Sequence, residues 1–217
     1  MKGLLIKDFY LITQNKKTFL IYLFCCAFMA LSVDVSFVAG YIAMLFGIIT
    51  MSTLSYDEYD RGMTFLMTLP VDGRTYVREK FFLLAINEMI GFVTGFIFMT
   101  ISFAFKGQLN TLGENVISLF VFTCATGALL TMMIPIELKY GVEKGRIVMM
   151  VFYGVFGVSV AALSRLLAKP GNFALSLIEK LNSIPEWIVI VFAVLLLICI
   201  VMTTYLFSLR VMEKKEY

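Results

Sequence analysis

The chain has 217 residues, 60% of them hydrophobic and only 15% charged, with a formal net charge of +3 and a mean hydropathy of +0.92. Soluble domains are close to half apolar, and a soluble fold has no way to hide this much apolar surface, so composition excludes one and points to helices that satisfy their own backbone inside a bilayer. The Lys and Arg residues fall between apolar runs rather than in one stripe, which excludes a nucleic-acid footprint, and the absence of histidine excludes His-activated nucleophiles and the commonest zinc ligand sets.

In chain order, Lys2–Lys17 reads as a helix lying on the membrane surface, with Leu5, Ile6, Phe9 and Ile12 on one side and Lys7, Asp8, Gln14 and Asn15 on another, although Leu4 and Leu11 interrupt the polar side. Apolar runs at Phe19–Val33, Phe37–Ser55, Phe82–Phe105, Val116–Ile136, Ile147–Leu167 and Ile188–Phe207 then predict an all-α membrane protein with six spans. The first run is short for a full span, which takes about 20 residues. Only Asp34–Ser36 separates the first two, so they form a tight helical hairpin.

The loop Asp57–Lys80, between spans two and three, starts with mixed charge and continues into a short apolar helix, Met63–Leu69, which Pro70 stops. Asp72 then caps a second helix that runs through Arg74 and Arg78 into span three. Met63, Phe65, Leu66 and Leu69 need a place to bury, either on the protein's own surface or in a partner's groove. Pro135–Arg146 connects spans four and five. Between spans five and six, Arg165–Trp187 reads as a short external amphipathic helix, with Trp187 as an interfacial aromatic.

Orientation follows from the bias of basic residues towards the inner side. With the N-terminus inside, the external segments carry only Lys106, Arg165, Lys169 and Lys180 of the 18 basic residues, so both termini are expected in the cytoplasm. A cleaved signal peptide is the weaker reading of the N-terminus, because the first apolar run lacks a clear A-x-A site and five more spans follow.

Charges within spans are expensive, about 2.5–3.5 kcal/mol at mid-membrane on insertion scales, and therefore informative. Glu88, beside Asn87 in span three, either faces a pathway and meets a cationic group or pairs with a local base near the interface. Thr123, Thr126 and Thr131 are assigned to backbone bonding within span four. Gly91 and Gly95 have the spacing that lets helices approach closely, within the subunit or across a dimer. Cys25, Cys26, Cys124 and Cys199 all lie in apolar spans with no CxxC and read as small hydrophobes. No metal or catalytic site is expected.

Three stretches carry a resemblance. These are the Met1–Tyr10 start, the Asp57–Lys80 loop with Phe65-Leu66 before Leu69-Pro70-Val71 and then Arg74, Tyr76-Val77 and Lys80, and Pro135–Arg146. With them the chain resembles, over its whole length, the six-span permeases of bacterial type-II ABC exporters. Its nearest likeness is to those that export amphipathic peptides such as phenol-soluble modulins.

The resemblance implies that Met63–Leu69 is a coupling helix seated in a cytoplasmic ATPase. Asp57, Glu58, Arg61, Met63, Phe65, Leu66, Leu69, Pro70 and Arg74 then belong to that interface, and Lys139, Gly141, Lys144 and Arg146 to the second cytoplasmic loop. It further implies two ATPase copies that bind ATP and Mg, a second permease that is identical or related, and a multi-pass place in the bacterial cell membrane. No G-x-x-x-x-G-K-[ST] loop occurs, so ATP hydrolysis is expected of a partner chain. The rival classes are a substrate-capture subunit of a vitamin importer and a non-transporting immunity or assembly protein. The long Asp57–Lys80 loop speaks against the first.

Overall fold

The computed structural model describes residues 2–14, 16–29, 34–59, 62–68, 72–107, 112–148, 150–151, 154–155, 158 and 186–214, and among these there is no strand. The helices are α1 (Lys2–Gln14), α2 (Lys16–Met29), α3 (Val35–Glu58), α4 (Gly62–Thr68), α5 (Gly73–Lys106), α6 (Leu112–Tyr140) and α7 (Glu186–Glu213). Four of them, α3, α5, α6 and α7, are long and apolar enough to cross a membrane. The expected first span survives as α2, whose 14 residues are fewer than a full crossing needs. The expected fifth span falls largely outside the described residues. The external helix before Trp187 falls wholly outside them.

The helices overrun the apolar runs at the ends. At 34 residues α5 is about 51 Å long, against a hydrocarbon layer of roughly 30 Å. It begins at Gly73, as the expected helix running from Asp72 through Arg74 and Arg78 into span three does, and the charged turns and the apolar run from Phe82 form one continuous helix. Asp72 occupies the N-cap position, as expected, but its side chain makes no capping bond. Its backbone carbonyl accepts from the N–H groups of Thr75 and Tyr76 instead.

Likewise α3 starts at Val35, so that only Asp34 of the expected Asp34–Ser36 break is non-helical. The helix α6 runs through Pro135 to Tyr140, where a loop was expected from Pro135 onward. A proline removes one backbone donor, and packing around a membrane helix tolerates that loss. Gly141, at φ 80°, ends α6 in a left-handed conformation that glycine adopts without a Cβ penalty, and residues 142–148 are helical again.

The main contacts are α3 on α5 and α6 on α7, with α6 also packed on both α3 and α5. At one end of the bundle, Leu4, Leu54, Leu66, Val77, Leu138 and Met212 form a single core, which brings α1, α4 and the end of α7 to the same face. At the other end, Val35, Ala39, Met99, Phe103 and Leu119 pack together. Thus α5 runs antiparallel to α3, and α6 ends where α7's last turn lies.

Midway, Gly91 and Gly95 of α5 lie directly on the backbone of α3. A Cβ on Gly91 would stand 2.8 Å from both Cα and O of Ala43, and one on Gly95 would be 2.5 Å from the carbonyl oxygen of Ala39. The two glycines therefore serve packing within the subunit. The cysteines are all free, and the hydroxyls of Thr123, Thr126 and Thr131 donate to carbonyls of their own helix.

Candidate functional site

At the α4 end, Lys7, Asp8, Asp57 and Lys80 are gathered into one network that is largely buried. Lys80, from the overrun of α5, is fully buried, and its ammonium group meets Asp8 of α1, Asp57 of α3 at 2.7 Å and the hydroxyl of Thr53 at 3.1 Å. Lys7 pairs with Asp8 at 3.1 Å and donates to Asp57. Tyr76 donates its hydroxyl to Asp57 at 2.9 Å, and the Lys80 ammonium stands 5.3 Å from the centre of its ring. Glu79 is also buried, 3.8 Å from Lys80, and neither of its oxygens has a hydrogen-bond partner among the described residues.

Desolvating ions costs several kcal/mol each, and the close opposition of Lys7 and Lys80 to Asp8 and Asp57 offsets that cost. Burial works against the charge on Lys7, but the Asp57 and Asp8 carboxylates outweigh it and hold the ammonium above its ordinary 10.5.

This network shows which side of α1 packs on the protein. The side packed on the protein carries Leu4 and Asp8, both buried, while Ile6 and Phe9 are exposed. Leu4 interrupts the polar side in the sequence because that side is the one in contact with the bundle. The sequence reading missed Lys7, Asp8, Tyr76, Glu79 and Lys80 as a site. A usable signal was present in two adjacent opposite charges on a helix that also carries leucines on the same side.

Of the loop residues, Asp57 is spent inside the network. Glu58 accepts a hydrogen bond from the backbone N–H of Val142 and lies against Gly141, so it holds the second loop onto the end of α3. Arg146 donates to Ser55 at 3.2 Å, and the Lys139 ammonium lies 4.9 Å from the ring centre of the neighbouring Tyr140. Lys144 is exposed. The two loops, which stand apart in sequence, thus share one surface. A cleft of about 510 Å³ runs between them, lined by Glu58, Tyr59, Tyr140, Lys144 and Arg146 among others.

In α4 the apolar side chains divide. Leu66 is buried in the core and Met63 packs against it, while Phe65 is 67% exposed. Arg74 pairs at the surface with Glu213 of α7, at 2.7 Å. Arg61, Leu69 and Pro70 lie outside the described residues.

Deeper in the bundle Asn87 donates to Thr50 at 2.8 Å and ties α5 to α3. Glu88 is 8% exposed, and neither carboxyl oxygen has a hydrogen-bond partner among the described residues. No Lys or Arg among the described residues pairs with it. Its carboxyl occupies the space left by Gly47 and Gly127.

Four helices of spanning length, closed at one end by a buried ion network under an exposed turn of helix, define a multi-pass membrane protein. The family model for ABC-2 family transporter proteins matches residues 3–213, and the chain belongs to that family. Membership makes it a permease component of an ABC transporter and implies an ATPase partner. Neither a curated protein nor a solved structure matches it.

Proposed function

We propose that this chain is the membrane-spanning subunit of an ATP-driven exporter that moves amphipathic cargo, best fitted by peptides, out of a bacterial cell by alternating access. Both termini face the cytoplasm, as does α4. Two copies of a cytoplasmic ATPase bind ATP and Mg, and a second permease, identical or related, completes the pathway. The observation that carries this reading is α4 itself. Met63 and Leu66 pin its inner face to the core, and Phe65 projects outward, the arrangement of an anchor that fills a partner's groove.

Leu66 packs with Leu54 of α3 and Val77 of α5, Asp57 ties α3 to Tyr76 of α5, and Arg74 pairs the start of α5 with α7. Force applied to α4 therefore enters α3 and α5 together. ATP drives such a cycle only by binding the two states with different affinity, and that difference resides in the ATPase.

The test is co-purification of the ATPase with the solubilised wild-type protein and with Phe65→Asp. Because Phe65 is exposed, the variant folds, and loss of the ATPase is the expected result. Retention of a stoichiometric ATPase by Phe65→Asp would remove α4 from the interface.

A further inference from the structure

The carboxylates of Asp8, Asp57 and Glu79 surround the ammonium groups of Lys7 and Lys80, so the cluster holds one acid more than it has bases. A donor count shows which acid is left over. The three N–H bonds of Lys80 are taken by Asp8, Asp57 and the Thr53 hydroxyl. Lys7 and the Tyr76 hydroxyl donate to Asp57. Glu79 receives none of these, although it is fully buried, and Oδ1 of Asp8, 3.1 Å from the Lys7 ammonium, accepts no hydrogen bond. The Glu79 and Asp8 carboxyls lie within hydrogen-bonding reach of each other. Two acceptors in contact and buried away from water repel unless a proton lies between them.

Among the described residues, the other elements at this end bring Glu79 no donor. The turn of α4 has no charged residue. On α6, Glu137 lies against Gly145, and Lys139 is exposed beside Tyr140. On α7, Arg210 is exposed and Glu213 pairs with Arg74.

We propose that Glu79 and Asp8 share one proton at neutral pH and that this proton latches α1 onto α5, so that α1 lets go of the bundle as the pH rises. Helix α1 suits such control, because Leu4 and Asp8 are its buried residues and apolar packing holds it by little else. Apart from each other, the two carboxyls have ordinary values near ~4 and carry no proton in the neutral range. Docked, the pair keeps one. Docking therefore takes up a proton, and its equilibrium constant falls by up to about tenfold for each unit of rising pH. Lys7 stays charged throughout the neutral range and adds nothing to that slope.

The experiment is hydrogen exchange read by mass spectrometry on the full-length protein in detergent, from about pH 6 to about pH 9 and corrected for the intrinsic pH dependence of exchange. It compares wild type, Glu79→Gln and Asp8→Asn. Glu79→Gln keeps the shape and gives Asp8 a permanent N–H donor, and Asp8→Asn gives one to Glu79 from the other side. Exchange around Gly91 and Gly95, in the close contact of α5 with α3, reports whether the bundle is intact.

Protection of residues 4–13 in wild type is expected to fall by more than about tenfold over this range while the Gly91–Gly95 region stays unchanged. In Glu79→Gln the protection of α1 is level, and at the alkaline end it exceeds that of wild type. A level profile in wild type, or a slope in Glu79→Gln equal to the wild-type slope, overturns the proposal. Where Glu79→Gln does not fold, a level profile in Asp8→Asn upholds the latch and a wild-type slope in it overturns the latch.

Discussion

The Lys80 ammonium lies 2.7 Å from a carboxylate oxygen of Asp57, and both side chains are buried although they sit on helices whose sequences are otherwise those of membrane spans. Removing one member of a buried ion cluster strands the others without solvent. Lys80→Met leaves Asp8 and Asp57 short of a cation and should cost about 3–5 kcal/mol. Thermal unfolding in detergent would show a lower midpoint for Lys80→Met. Adding Asp8→Asn should restore part of the loss, giving a coupling energy above about 1 kcal/mol in the double-mutant cycle. Strictly additive effects would mean that the two residues do not interact.

The contact of Gly95 with the Ala39 carbonyl makes a separate prediction for packing. A methyl group there has backbone in front of it, which does not move aside as a flexible side chain does. Gly95→Ala is expected to lower stability by about 1–3 kcal/mol. Gly113→Ala is the control, since a Cβ there meets nothing within 4 Å, and in a helix the change is neutral or stabilising by up to about 1 kcal/mol. Equal midpoints for the two variants would contradict the close approach of α3 and α5.

Glu58 holds the second loop by a single backbone bond. Glu58→Ala should speed hydrogen exchange at Val142 while leaving the Ala104 region of α5 unchanged, because the loss is local. Unaltered exchange at Val142 would show that the loop is held by other means.

Lys7 gives the network a sign in pH. Its folded-state pKa lies above its ordinary 10.5, so its pairing with Asp57 and Asp8 contributes fully below 10.5 and is lost as pH rises through the higher folded value. Thermal midpoints from about pH 9 to about pH 12 should therefore fall more steeply in wild type than in Lys7→Met. Parallel profiles would assign the alkaline loss to other groups.

Much of the architecture was legible because hydropathy reports solvent directly. The runs behind α3, α5, α6 and α7 are long enough that no soluble alternative competes, and the apolar turn between charges that predicted a helix over Met63–Leu69 is helical over Gly62–Thr68. Helix ends were less legible. Charged turns such as Arg74–Lys80 lower the hydropathy of a segment without breaking its helix, so the apolar run from Phe82 starts nine residues after the α5 helix itself. The network was invisible for a related reason. Lys7, Asp8, Asp57 and Lys80 each look like ordinary solvated charge, and only the antiparallel pairing of α3 and α5 under α1 brings them within bonding distance. Glu88 stood out as a charge within a span, but its lack of a partner is a property of packing.

Where Gly91 and Gly95 meet Ala43 and Ala39, two backbones touch with no side chains between them to slide or re-sort. Helices α3 and α5 therefore form one stiff strut, bolted at its lower end by Lys80. In the proposed cycle, a push at α4 enters that strut where Leu66 packs with Val77 of α5 and Leu54 of α3.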